Sequence, residues 1–193
     1  MADACPPLLP PEAPAPDLDG AAEHLARAFA ALGFPDDPEM RRSPQQVAAF
    51  LAELVPRTLP ACKPLPTRSH DLVVIREIPF HSVCAHHLLP FFGTVDIAWR
   101  PAGRLVGLGW FPGLVEALAR RPQLQERLAA QLADEIEQAL SPSALTVALR
   151  ARQMCVEMRG SRSSAWYEVR VRRGEADPEL DAALPMSARP ESP

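Results

Sequence analysis

An α+β domain preceded by N-terminal helices is the fold this sequence predicts, and three observations predict it. Between about residue 72 and residue 108 the chain runs in short β-branched or alternating stretches. From Gly113 to Leu140 its pattern is helical, and from Ala144 onward it returns to strand-like runs. Strands, then two helices, then strands again is an α+β order, not a regular β–α alternation.

Each element has a local reason. Residues 1–17 carry Pro6, Pro7, Pro10, Pro11, Pro14 and Pro16, too many prolines for a helix or a strand ladder, so a disordered arm is expected there. Asp17 or Asp19 can cap a helix over Ala21–Leu32, with Leu25, Phe29 and Leu32 on one face and Gly33 ending it. Ser43 is the expected cap of a second helix, with Pro44 at its first position and its end near Leu54. A Pro-punctuated linker, Pro56–Thr67, closes an N-terminal region of residues 18–67.

The core is expected over residues 68–173. Leu72–Ile75 begins a strand that continues through Ile78–Phe80, and Gly93–Trp99 alternates as a second. Pro101-Ala102-Gly103 turns the chain into Arg104–Leu108, predicting a hairpin. Helices follow over Gly113–Arg120 and Pro122–Leu140, with Pro122 in the first turn of the second. Ala144–Val156 is a long apolar strand, Ala165–Val171 its expected partner, and residues 174–193 a flexible tail.

Composition narrows the function classes. The 193 residues suffice for one domain with a real core, and the net charge of −4 supplies no basic field toward nucleic acid or anionic membranes. No apolar run approaches the roughly 20 residues a membrane span needs. The start, Met1-Ala2-Asp3-Ala4-Cys5, lacks a basic stretch followed by an apolar one, so no signal peptide is expected. The four cysteines form no dense disulfide framework, and a reducing cytoplasm suits them. Cys5 and Cys62 lie in Pro-rich segments and are expected to play no part. Lys63 is the only lysine, which leaves almost no candidate for Schiff-base chemistry.

The residues that point to chemistry are Cys84, His87 and Cys155. Cys84 and His87 are spaced C-x-x-H, so one tight turn can aim both at a single ion, while Cys155 reaches it only through the fold. Two thiolates and an imidazole form a soft set that suits Zn²⁺, and three protein ligands leave a fourth position open, as in catalytic zinc sites. The same residues also read as buried thiols beside a surface histidine pair.

Three blocks decide between these readings: Ser82–Gly93, Arg121–Leu128 and Met154–Gly160. In content and order they resemble the signature of GTP cyclohydrolase I, and the similarity runs from about Ser43 to Gly160. The resemblance implies the tunnelling fold, a small antiparallel sheet backed by two helices whose copies join into an oligomeric barrel. It implies a homo-oligomeric ring, possibly a decamer, and a guanine nucleotide or nucleoside as substrate. Zinc would be held by Cys84, His87 and Cys155, with His86 the proton-transfer histidine. Water activated by the zinc would attack guanine C8, formate would leave, and GTP would become 7,8-dihydroneopterin triphosphate.

Gln125 and Glu126 fall where the family reads the guanine edge, and Arg159 where it faces the triphosphate. Alone, Glu126 also reads as an ordinary helix-face charge, Arg159 as a surface arginine, and His86 as a solvent-facing neighbour of a ligand. A carboxylate can accept from both guanine N1–H and the 2-amino group, a pairing adenine cannot make.

The departures are as informative as the matches. Gln153 stands where the family has a second catalytic histidine, and an amide cannot carry a proton. Gly109-Trp110 replaces an expected Ser-Lys, Gly113 an expected arginine, and Gln45-Gln46 a basic residue. Ala85 replaces an acidic residue after the first cysteine. Base-reading residues survive while phosphate-reading ones do not, which predicts a guanine substrate with fewer phosphates. Arg152 or Arg162 could replace the clamp, and His81 the missing histidine. The rival reading is a non-catalytic paralogue that binds a guanine or pterin ligand.

Overall fold

A computed structural model of the chain describes residues 15–55 and 58–185, in two compact units divided between Thr58 and Leu59. The expected Pro-rich arm lies, through residue 14, outside the described residues, as do Pro56, Arg57 and residues 186–193. Among the described residues no helix is long and apolar enough to cross a membrane.

The first unit is helical. α1 (Leu18–Ala31) starts earlier than the apolar pattern indicates, because the Asp17 carboxylate accepts from Gly20 N–H at 2.9 Å and caps it. Of its expected stripe, Leu25 and Phe29 are half-buried and Leu32 is exposed. α2 (Ser43–Glu53) corrects the expected cap: a 3-10 turn at Pro38–Arg42 runs straight into it. Ser43 is therefore already helical, at φ −58° and ψ −41°, and its side chain makes no cap.

The second unit is built on a five-stranded sheet. Short strands β1 (Leu65–Pro66) and β4 (Arg104–Leu105) pair only with each other. The main sheet joins β2 (Val73–Cys84), β3 (Pro90–Arg100), β5 (Pro122–Gln123), β6 (Ala144–Gln153) and β7 (Trp166–Gly174) in the order β5-β2-β3-β6-β7. All pairs are antiparallel except β2 with β5. The expected hairpin of residues 93–99 with 104–108 is thus not formed. β3 already has β2 and β6 as neighbours, which leaves Arg104-Leu105 to pair with the linker.

A one-residue irregularity in β2 sets which side chains meet the helices. Ile75 faces Ile97 and Ile78 faces Val95, so Arg76-Glu77 stands against Asp96 alone, with Glu77 at φ +57°. Asp96 Oδ1 holds the Glu77 N–H at 2.6 Å. Because strand side chains alternate, the extra residue switches parity: Val73 and Ile75 face the core before it, and Ile78, Phe80, Ser82 and Cys84 after it. Without it Cys84 would point to the other face.

α3 (Trp110–Ala119) and α4 (Gln125–Leu140) cover that face. Leu128, Leu132, Ile136 and Leu140 of α4, Phe111, Leu114 and Leu118 of α3, and Val95, Ile97, Trp99, Val147 and Leu149 of the sheet form one buried cluster. Each such aliphatic side chain contributes about 1.5–3 kcal/mol by leaving water. Gly93 permits the β3–β6 approach, since a Cβ there would lie 1.8 Å from Arg150 O.

Two boundaries differ from expectation in ways that matter for function. Pro122 does not open α4; Pro122-Gln123 extends along β2 as β5, and the helix begins at Gln125. The last apolar strand ends at Gln153, and Cys155 sits in a one-turn helix, α5 (Met154–Glu157).

The segment after residue 173 is also not a loose tail through residue 185. α6 (Pro178–Ala183) buries Leu180 and Leu184 against Ala98, Ala144 and Ala148 on the second face of the sheet. Asp177 caps α6 and accepts from Arg100 Nε at 2.7 Å, while Arg100 Nη2 reaches Glu179 at 2.7 Å. The Arg100 guanidinium, helped by the cap N–H groups, holds the Asp177 carboxyl below its ordinary value of 3.8. A carboxyl depressed in the folded state stabilises above its unfolded pKa and loses that contribution as pH falls through the folded one. Asp177→Asn is therefore expected to lower Tm at neutral pH and to leave it unchanged well below pH 3.8. Melting curves of both proteins across that range check it, and a Tm gap of constant size at every pH would count against it.

Candidate metal centre

Cys84 is the last residue of β2, and the chain reverses immediately beyond it. Cys84 N–H donates to Leu89 O at 2.8 Å, and Leu88 N–H donates back to Cys84 O at 2.8 Å. That turn puts Leu88 at φ +54°, a left-handed conformation that costs a branched side chain on the order of 1–3 kcal/mol. It brings His87 back over Cys84, with Nδ1 3.8 Å from Sγ.

The second anchor of the turn comes from β5. Cys84 is registered with Gln123, and Ala85 N–H donates to Gln123 O at 2.9 Å. Gln123 is itself fully buried in a polar network. Its Nε2 donates to Leu118 O at 2.9 Å and to Gln131 Oε1 at 2.8 Å, and its Oε1 accepts from Arg127 Nε at 2.7 Å. Gln131 Oε1 also accepts from the buried Arg121 at 2.5 Å. Sequence reasoning passed over these supports. Their signal was a glutamine, Gln131, within an otherwise apolar stripe of α4, together with the polar run from Arg121 to Arg127.

Cys155 reaches the same place from α5, the turn that follows β6. The ligand atoms of Cys84, His87 and Cys155 all lie within 4.8 Å of one another, with Cys84 buried, Cys155 half-buried and His87 exposed. Sulfur at about 2.3 Å and nitrogen at about 2.0–2.1 Å from a tetrahedral zinc would be roughly 3.6 Å apart, close to the 3.8 Å between Cys84 Sγ and His87 Nδ1. Burial first, and then the adjacent Cys84 thiol, push the Cys155 thiol above its ordinary value of 9.0. Crowded sulfurs of this kind are what a divalent cation relieves, since it favours the thiolate. Donor type, spacing and electrostatics all fit zinc.

The remaining site candidates are placed as follows. His86 is exposed on the turn, its ring 6.1 Å from that of His87 in an edge-on arrangement. Glu126 is exposed in the first turn of α4. Arg159 is exposed just past α5, where its charge acts on Cys155. Gln125 is turned inward and only 4% exposed, so its side chain is not presented as a base reader. Its Nε2 donates to Leu149 O and Tyr167 O, and its Oε1 accepts from Gln153.

Two of the substitutes considered from sequence do not reach the cluster. Gln153 shares the helix-facing side of the sheet with Phe91 and Ala151, whereas His81 sits on the opposite side, stacked on Phe92 at 6.1 Å. Arg152 lies on that opposite side too and is held by both carboxylate oxygens of Glu157.

Comparison with known proteins gives a consistent result. A family model described as GTP cyclohydrolase I matches residues 22–182. GTP cyclohydrolase 1 of Lactiplantibacillus plantarum is 35% identical over 172 residues, covering 82% of this chain and 89% of the relative. That of Leifsonia xyli subsp. xyli is 38% identical over 170 residues, covering 83% and 89%. That of Geobacillus kaustophilus is 50% identical over a shorter stretch of 91 residues, about half of each chain at 47% and 48%.

Proposed function

Because the chain belongs to the GTP cyclohydrolase I family, and so is an enzyme of that type, we propose that it opens the imidazole ring of a guanine compound at C8, with zinc as cofactor and formate as a product. The observation that carries this reading is the Cys84–His87–Cys155 cluster, assembled within 4.8 Å from elements about 70 residues apart in sequence. When bound there, zinc would supply a water acidic enough to act as a nucleophile near neutral pH.

The chain's own residues do the rest. Cys84, His87 and Cys155 would hold the ion, and the Arg121–Gln131–Gln123–Arg127 network keeps the turn in register through Ala85 N–H. His86, exposed beside the cluster, moves the proton between water, the opening ring and solvent. Glu126 accepts from guanine N1–H and the 2-amino group, and Arg159 faces the phosphate side. With GTP as substrate, closure of the ribose carbons onto the opened ring would give 7,8-dihydroneopterin triphosphate. β7 forms an edge of the sheet, and pairing of such edges between copies would build the ring-shaped homo-oligomer. A reducing cytoplasm would keep the thiols ready for metal.

Gly109, Trp110, Gly113, Gln45 and Gln46 offer no cation to a triphosphate, and Arg152 is engaged by Glu157. Each missing charge-assisted hydrogen bond costs roughly 1.5–3 kcal/mol of binding. A guanine compound with fewer phosphates is therefore the preferred substrate. The test is formate release by the zinc-loaded protein with GTP, GMP, guanosine and guanine. Formate with a higher kcat/KM for GMP or guanosine than for GTP is expected. GTP favoured by orders of magnitude would overturn the phosphate argument, and no formate from any of the four would overturn the proposed reaction.

A further inference from the structure

Gln125 and Gln153 touch, and their surroundings leave one way to orient both amides. Gln125 Nε2 lies 3.1 Å from Leu149 O and 2.9 Å from Tyr167 O. Backbone carbonyls only accept, so both contacts require the two N–H bonds of the amide, and its oxygen must point elsewhere. That oxygen meets the Gln153 side chain at 2.7 Å, which must present its own N–H there. The Gln153 oxygen is thereby turned the other way, 3.9 Å from Cys155 Sγ. Flipping either amide would set like against like in a buried place and leave polar groups unpaired.

Resting on the metal centre proposed above, we infer that Gln125 is a positioning residue which locks the Gln153 amide with its oxygen toward the Cys84–His87–Cys155 cluster. Residue 153 is then a fixed hydrogen-bond acceptor, where the family has a group that can both give and take a proton. The acceptor faces Cys155 Sγ. With Cys155 as the thiolate that metal ligation requires, its proton released to solvent, the same oxygen would accept from a water or a substrate N–H brought to the cluster. Gln125 acts through Gln153 and does not read the base. Its contacts to β6 and β7 place this orienting bond on the sheet itself, so it does not drift with the exposed turn that carries His86 and His87.

Cobalt(II) is the probe, because its thiolate and ligand-field absorption bands report on the cluster without turnover. Wild type, Gln125→Met, Gln153→Met and the double variant are loaded with cobalt and titrated against a chelator. Gln125→Met is expected to shift the bands, because the Gln153 amide beside Cys155 is no longer held in one orientation. In the Gln153→Met background the same change is expected to add nothing. Equal shifts in both backgrounds would overturn the inference. So would unchanged bands with a raised KM for guanosine, which would make Gln125 a base reader.

Gln153→Glu covers the case in which Gln125→Met does not fold. A carboxylate cannot donate to Gln125 Oε1, so shifted bands are expected with Gln125 intact, and a wild-type spectrum would refute the orienting bond. Failure of wild type to bind cobalt would instead remove the metal centre on which the inference rests.

Discussion

Replacing Cys155 with alanine is expected to strip the protein of zinc and to drop formate release to background while the fold survives. Structural zinc binding amounts to about 10–16 kcal/mol, so one ligand in four is worth roughly 2.5–4 kcal/mol. At 1.4 kcal/mol per decade that is about two to three orders of magnitude in affinity. The loss is specific, because Cys155 is half-buried on a one-turn helix at the margin of the core, not within it. Zinc content after dialysis, circular dichroism and formate release, measured on one preparation, check the three parts together. A variant that kept both zinc and turnover would remove Cys155 from the site.

His86→Ala is expected to cost about 10²–10⁴-fold in kcat, the range for general acid–base catalysis, with KM and zinc content little changed. The size of the effect follows from two features of this chain. Gln153 cannot carry a proton, and His81 lies on the far side of the sheet, stacked on Phe92. That leaves His86 as the imidazole beside the cluster that is not needed to hold the ion. Steady-state kinetics of both proteins, with zinc content measured on the same preparations, test this. Less than a threefold change in kcat would place the proton transfer elsewhere.

The order of elements was legible because the polypeptide writes its periods locally. The alternation through Gly93–Trp99 and the helical spacing of Leu128, Leu132, Ile136 and Leu140 are properties of single segments, and each formed as read. Errors fell where a neighbour overrode a local signal. Arg104-Leu105 looked like a hairpin partner for the preceding strand, but β2 and β6 already occupied both its edges. Ser43 looked like a cap until a 3-10 turn delivered the chain to it already helical. Pro122 suited a helix start, yet the parallel pairing with Val83 drew it into the sheet. Residues 174–193 read as a flexible tail, but through residue 185 Arg100 and the alanines of the second sheet face give them a seat.

The candidate site divides in the same way. By itself the sequence determined the donor set, because C-x-x-H within one turn and a soft thiolate–imidazole chemistry are written in residue types and short spacings. It also determined what is missing, since an amide at position 153, and Trp110, Gly113 and Gln45-Gln46 where cations are expected, need no coordinates to recognise. Only the tertiary structure decided that Cys155 meets Cys84, that Gln125 turns inward while Glu126 stays exposed, and that His81 faces away from Gln153. The physical reason is that these relations depend on strand register. The single extra residue at Arg76-Glu77 reverses the parity of β2, and the pairings β2–β3 and β3–β6 carry that choice across to Gln153. Register is settled by the whole sheet packing against α3 and α4, so which face a side chain takes is known only once the core has closed.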